Sequence, residues 1–410
     1  MIRFGPSGIP LSCKGRTLRD GLEDVHNLGL SALEVQLVRV NTQERPAGEE
    51  DEGRKVREIA DELVVEVRRR GLEPWRTGID TVIEAGDTLV SLTSGVAADY
   101  IELSDLGELA RDLDIELSLH APYYMDLADA DHLAQKSMDS IRWGGLLAEA
   151  LHATVVSTHL GLYGDLTPQE AFRRAAANLR TVRDWFKALK LRPVLGIESS
   201  GQQEVLGSLE ELLELAKAVK GIVPVLNFAH AHARSNGSLR QPEDFEKIME
   251  AITKLTPAGH LHTHFSGVEH EGGNELRYTP IKKGDLRFEP LAEALLGNGW
   301  DVTLVSSSPL LEHDAMYMKV IYERILAKKL GRTLAPEGEE GRPAVPEARD
   351  LLKVTAKPIV KPVPKPKAKA APRPRAKARP KPRPKKAKAR PKARPRAKPR
   401  PKKKAKGRRR

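Results

Sequence analysis

One cysteine, Cys13, stands alone in 410 residues. No disulfide can form within such a chain, and a reducing cytosolic setting is the expectation. No apolar run approaches the roughly 18 residues that a membrane span requires. The opening MIRFGPSGIPLS has no basic segment followed by a long apolar stretch, so no secretory signal is predicted and the chain reads as cytoplasmic. No glycine-rich phosphate fingerprint follows the first strand, which argues against a doubly wound dinucleotide-binding sheet. The last absence is local: from Leu351 to Arg410 there is no Asp or Glu at all.

That acid-free segment carries 28 of the 68 Lys and Arg residues, which leaves 40 bases against 56 acids in the first 350 positions. The overall charge of +12 therefore hides an acidic body and a polycationic end. The end is nearly all Lys, Arg, Pro and Ala, which cannot bury a core, so 333–410 is predicted to be a disordered tail. Its expected partner is DNA or another nucleic acid, bound by counterion release with a steep salt dependence and nucleoid association. No membrane partner is expected.

What the body does have is alternation. Short runs rich in Val, Ile and Leu (IRFG, ALEVQLV, IELSLH, TVVSTH, PVLGIE, VPVLNF, HLHTHF and VTLVSS) alternate with segments of helical period such as Pro168 to Leu189 and Leu209 to Val219. Eight such strands predict an α/β fold, a (β/α)8 TIM barrel over 1–332. Residues 41 to about 101 are too long for one β-to-α connection and are taken as an insertion after the second strand, with a mixed-charge helix expected over Arg54 to Arg70.

In a barrel the chemistry collects where strands end. Here they end in order at His120, His159, Glu198, Asn227 with His230 just beyond, His264 and Ser307. Two imidazoles and a carboxylate from neighbouring strands form a zinc-type set with one position left for water, and a metal there would make that water a nucleophile near neutral pH. In HLHTHF, period-two alternation puts His260, His262 and His264 on one face. His264 is expected at the rim and the other two lower, as packing residues, with His262 an alternative ligand. His26, His152 and His313 are read as structural.

Read in order, LHAPYYMDLA, VVSTHLG, GIESSGQ, NFAHAHAR and HTHFSG resemble the strand-end motifs of the endonuclease IV family, xylose-isomerase-like TIM barrels that cut DNA beside abasic sites with a zinc cluster. The resemblance implies that His120, His159 and Glu198 hold one metal, with Glu198 the catalytic ligand able to bridge to a second. It also implies that His230 and His264 belong to the cluster and that Tyr123 touches DNA at the lesion. Three positions depart from the pattern: Asn227 stands where an Asp is expected, Tyr278 where a His is, and Ser307 where a Glu is.

Two dications about 4 Å apart repel by roughly 16 kcal/mol at an effective dielectric near 20, four times the unit-charge figure, so a cluster needs bridging carboxylates. With Glu198 nearly alone, one ion, zinc or another divalent metal, is expected unless Glu269, Glu271, Glu275 or Asp314 moves in. The leading expectation is a metal-dependent DNA phosphodiesterase acting at abasic or damaged sites with a reduced metal centre. The alternatives are a non-catalytic DNA-binding relative and a sugar isomerase- or epimerase-like barrel.

Overall fold

A computed structural model describes residues 1–71, 76–129 and 132–334. The chain enters through strand β1 (Ile2–Pro6), helix α1 (Leu18–Asn27) and strand β2 (Ala32–Gln36). It then departs into β3 (Asn41–Pro46), β4 (Val64–Arg68) and β5 (Thr88–Thr93). Alternation resumes with α2 (Tyr100–Asp112), β6 (Glu116–His120), α3 (His132–Ala150), β7 (Val155–Thr158), α4 (Pro168–Ala188), β8 (Val194–Glu198), α5 (Leu209–Ala218) and β9 (Ile222–Asn227). After α6 (Phe228–Arg234) and α7 (Pro242–Thr253) come β10 (His260–Phe265), a hairpin of β11 (Gly267–Glu271) and β12 (Asn274–Thr279), α8 (Phe288–Asn298), β13 (Asp301–Ser306) and α9 (Glu312–Leu334).

Eight of these strands form one parallel sheet in the order β1-β13-β10-β9-β8-β7-β6-β2. Its two ends meet through a parallel bridge between Ser7 and Glu34 and the bond from Ser31 N to Phe4 O at 3.0 Å. The result is a (β/α)8 barrel. Gly5 lies at this seam because a Cβ there would fall 1.8 Å from the Ala32 carbonyl oxygen, so a larger residue would pry β1 from β2. The strands are buried on both faces, as apolar runs flanked by helices require.

Helix starts are set locally. Thr17 with Asp20, Thr167 with Glu170 and Ser208 with Glu211 form capping boxes on α1, α4 and α5, and Pro168 fits the first turn of α4. Asn227 caps α6 through its side-chain oxygen, accepting from Ala229 N and His230 N. That cap fixes the angle at which α6 leaves the barrel mouth.

The insertion is a three-stranded antiparallel sheet, order β3-β5-β4. The helix expected over Arg54 to Arg70 is corrected: the chain makes a 3-10 turn at Val56–Glu58 and then strand β4. The reason is the VVEV run, whose β-branched side chains favour a strand and whose Val64, Val65 and Val67 are buried. Tyr100 at the start of α2 donates to the Val64 carbonyl at 3.1 Å and ties this sheet to the barrel's helices. Of the expected tail, 335–410 lies outside the described residues, and α9 carries the chain to Leu334.

Candidate metal centre

Strand period and barrel taper place the three histidines of β10 at three depths. His260, at the entry end, lies 2.9 Å from Glu116 Oε1, which also accepts from Thr303 Oγ1 at 2.8 Å. His262, one pleat up, places Nε2 3.2 Å from Glu34 Oε2, and His264 at the exit end places Nε2 2.8 Å from the same oxygen. Each step of two residues moves the imidazole about 6.6 Å toward the C-terminal mouth.

At that mouth two carboxylates and four imidazoles converge. Glu198 Oε2 is 2.8 Å from His120 Nε2, and Glu198 Oε1 is 3.1 Å from His264 Nδ1, an ion-pair approach without hydrogen-bond alignment. Asn227 Nδ2 donates to Glu198 Oε1 at 3.0 Å. His120, His159 and Glu198 each offer one ligand atom, all within 4.8 Å of one another, and Glu34, His262 and His264 form a second such group. Glu34, Glu198, His120, His262 and His264 are all buried.

Donor chemistry tests whether these residues suit a cation. His120 Nδ1 lies 2.6 Å from the Ala121 carbonyl oxygen, so Nδ1 carries the proton and a neutral ring turns its Nε2 lone pair toward the Glu198 carboxylate. Two lone pairs facing each other require a proton or a metal between them. His264 repeats the problem on both nitrogens, one toward each glutamate. The residues therefore fit a divalent metal of the kind that imidazole and carboxylate hold.

Without an ion the protons fill this role. Burial would push Glu34 and Glu198 upward, but the charge of His264 beside both, with hydrogen bonds from the imidazoles, keeps each carboxyl well below its usual range. Burial opposes ionisation of His264 too, yet the two carboxylates hold its pKa well above an ordinary imidazole's. His120 follows the same pattern, with burial outweighed by Glu198. His159 does not: burial pushes it down to about 3, and it sits in ring contact with His120 at 5.0 Å and Tyr123 at 5.7 Å. A neutral imidazole at neutral pH is ready to ligate.

His230 is arranged differently. Its Nδ1 lies 2.6 Å from the Ser199 carbonyl oxygen, and its Nε2 is 2.6 Å from the Tyr278 hydroxyl and 3.2 Å from Glu275 Oε2. The nitrogen that a metal would use therefore faces the phenol. Asn227 also donates to the Tyr278 hydroxyl, at 2.8 Å, so two of the three departures from the resembled pattern bind each other. Ser307 lies just past β13, where its backbone N–H donates to Phe265 O at 3.1 Å. Tyr123, half exposed, stacks on His120 with ring centroids 4.8 Å apart and donates to Gln36 Oε1 at 2.6 Å.

The expectation that Glu198 stands nearly alone is corrected by Glu34. Its Oε1 accepts from Gln36 Nε2 at 2.7 Å and Ser7 Oγ at 3.1 Å, while Oε2 takes the histidines. The signal was present in ALEVQLV: an acid in an otherwise apolar buried strand, with Gln36 on the same face two residues on. Of the other acids considered as replacements, Glu275 reaches His230. Glu269 pairs with Arg277 and Glu271 is exposed on the hairpin. Asp314 accepts from Ile281 N and Ser308 Oγ.

The fold defines a class, and the sequence comparison gives the family. A model described as "Xylose isomerase-like TIM barrel" matches residues 76–309, and the chain belongs to that family. It is 28% identical over 233 residues to "Uncharacterized protein MJ0133" of Methanocaldococcus jannaschii, covering 55% of this chain and 82% of that protein. Among solved structures, a D-tagatose 3-epimerase-like protein aligns at TM-score 0.52 and 17% identity, over 79% of this chain and 99% of its own. Endonuclease IV from Thermus thermophilus aligns at TM-score 0.47 and 18% identity, with the same coverages of 79% and 99%. At such identities the likeness is one of fold. No helix among the described residues is long and apolar enough to cross a membrane.

Proposed function

We propose that the chain is a metal-dependent phosphodiesterase acting on DNA at abasic or damaged sites. The observation that carries this reading is the convergence of His120, His159 and Glu198, three ligand atoms within 4.8 Å, beside a second buried carboxylate at Glu34. A divalent ion held there supplies a Lewis acid for a phosphoryl oxygen and acidifies water. Glu198 orients His120 and His264 from its two oxygens, and Asn227 fixes Glu198 in turn. Tyr123 offers a ring face at the mouth on which a base or sugar can stack.

The polycationic segment supports a nucleic-acid substrate: 28 Lys and Arg without an acid offset the repulsion between phosphate and an acidic body. Sugar isomerisation or epimerisation is less well supported, because a carbon-bound proton needs a base, and both Glu34 and Glu198 are occupied by histidines. One observation favours a second reading, a DNA-binding relative that does not cut: Tyr278 occupies the His230 nitrogen that a further metal would need.

The test uses the full chain and a duplex with one abasic site, with and without chelator. Metal-dependent nicking that disappears in Glu198→Gln supports the phosphodiesterase. Salt-sensitive binding to the abasic duplex without nicking supports the second reading, and neither binding nor nicking rejects both.

A further inference from the structure

Outside the barrel mouth, a second cluster of ligand-type side chains joins three separate segments. His232 is on α6, His270 on β11 and Asp285 in the loop that precedes α8. Each offers one ligand atom, and the three lie within 4.8 Å of one another. His232 has no accessible surface, and neither of its ring nitrogens makes a hydrogen bond. Its Nε2 is 3.2 Å from Asp285 Oδ1 but without the alignment of a donor and acceptor. His270 Nε2 is 3.4 Å from Asp285 Oδ2, and the two imidazole planes are perpendicular with centroids 5.2 Å apart.

A buried imidazole with two unsatisfied nitrogens calls for an explanation, since such groups are normally paired. We infer that His232, His270 and Asp285 bind a zinc-class divalent cation at a site separate from the barrel mouth. A tetrahedral ion with bonds near 2.0–2.1 Å separates its ligand atoms by about 3.3 Å, which the 3.2 Å between His232 Nε2 and Asp285 Oδ1 matches, while the other carboxylate oxygen faces His270 Nε2 at 3.4 Å and the three residues offer ligand atoms within 4.8 Å of one another. Two nitrogens and one oxygen select zinc, cobalt or nickel over magnesium or calcium. Asp285 is half exposed, which leaves solvent access for ion entry and for a water as fourth ligand.

The site's position gives it a structural consequence. The α6 that bears His232 also bears His230, and the hairpin that bears His270 also bears Glu275 and Tyr278, which meet His230. An ion held here would pin the hairpin to α6 and fix Tyr278 against the mouth. It would act on the main centre by positioning, without touching it.

The test is zinc stoichiometry of the full chain, measured by competition with a chromophoric chelator and repeated with cobalt(II), whose visible absorption reports tetrahedral nitrogen and oxygen ligation. Against a His159→Ala/Glu198→Gln background, one tightly held equivalent is expected to remain. It should disappear when His270→Gln or Asp285→Asn is added, together with the upward shift in melting temperature that zinc confers. The same loss of one equivalent should separate the otherwise unaltered chain from its His270→Gln and Asp285→Asn variants, which keeps the test valid if the background variant does not fold. An equivalent that survives both substitutions in the His159→Ala/Glu198→Gln background, or no equivalent lost on either substitution in both backgrounds, overturns the inference. DNA nicking is not read in this experiment, so its outcome is independent of the proposed activity.

Discussion

Glu34→Gln removes one negative charge and keeps the volume of the side chain. Glu34 Oε2 faces His264 Nε2 at 2.8 Å and His262 Nε2 at 3.2 Å, and Oε1 accepts from Gln36 and Ser7. A glutamine can keep one oxygen toward one of these pairs, but its amide then points two hydrogens at the other. If the amide turns to Gln36 Nε2, two donors face each other in a buried site. If it turns to the histidines, His264 keeps only Glu198 as counter-charge. Breaking one partner of a buried pair in this way costs about 3–5 kcal/mol. The assay is denaturant unfolding of the chelator-treated protein near neutral pH, for Glu34→Gln, His264→Gln and the double variant. The double variant should be less destabilised than the sum of the singles by about 1–3 kcal/mol, as expected for residues in direct contact. A loss below about 1 kcal/mol for Glu34→Gln, or strict additivity, would refute the view that Glu34 is the second anionic anchor of the mouth.

In the metal-free protein, pH should act from two sides. His159 is held down to about 3 by burial, against an ordinary imidazole value of 6.5, so the unfolded chain takes up a proton that the folded chain refuses. Stability should therefore fall as pH drops through 6.5 toward 3, by about 4–5 kcal/mol at roughly 1.4 kcal/mol per pH unit, and His159→Asn should flatten this slope above pH 4.5. The raised His264 works oppositely: its contribution is complete below pH 6.5 and is lost as pH rises through its higher folded value. Tyr278→His removes the phenol from His230 Nε2 and adds an imidazole beside Glu275, so metal bound per chain should rise by one equivalent; an unchanged count by elemental analysis would contradict this. Tyr123→Ala should weaken binding to an abasic duplex by the about 1–3 kcal/mol that one stacked base is worth, while Tyr123→Phe, which keeps the ring on His120, should not. Equal losses in the two variants would mean that the hydrogen bond to Gln36 matters and stacking does not.

The barrel was legible because its strands are buried on both sides. A run such as PVLGIE admits few readings when helices with capping boxes flank it, and each of the eight runs falls on a strand of the parallel sheet. The extent of the insertion was legible but its internal structure was not, because Arg54 to Arg70 carries charges at intervals that mimic a helix face, while the VVEV run within it pairs with β5. Those charges serve a different purpose: Arg69 pairs with the buried Asp87, and Arg68 pairs with Glu66 two residues back on β4 and with Glu44 of β3, on the far side of β5. Glu34 was missed for a related reason. It sits in mid-strand and not at a strand end, and its role depends on His262 and His264 of β10, 228 and 230 residues downstream and brought to it across the barrel. The occupation of His230 by Tyr278 could not be read either, since a hairpin 48 residues downstream supplies the phenol.

Divalent metal bound per chain, measured by elemental analysis on the full protein and on His159→Ala and Glu198→Gln prepared identically, bears most directly on the barrel-mouth site. The unaltered chain should carry at least one equivalent that both variants lack, and restoring the ligand should restore the ion. Equal metal content in all three proteins would show that His120, His159 and Glu198 meet only to share protons.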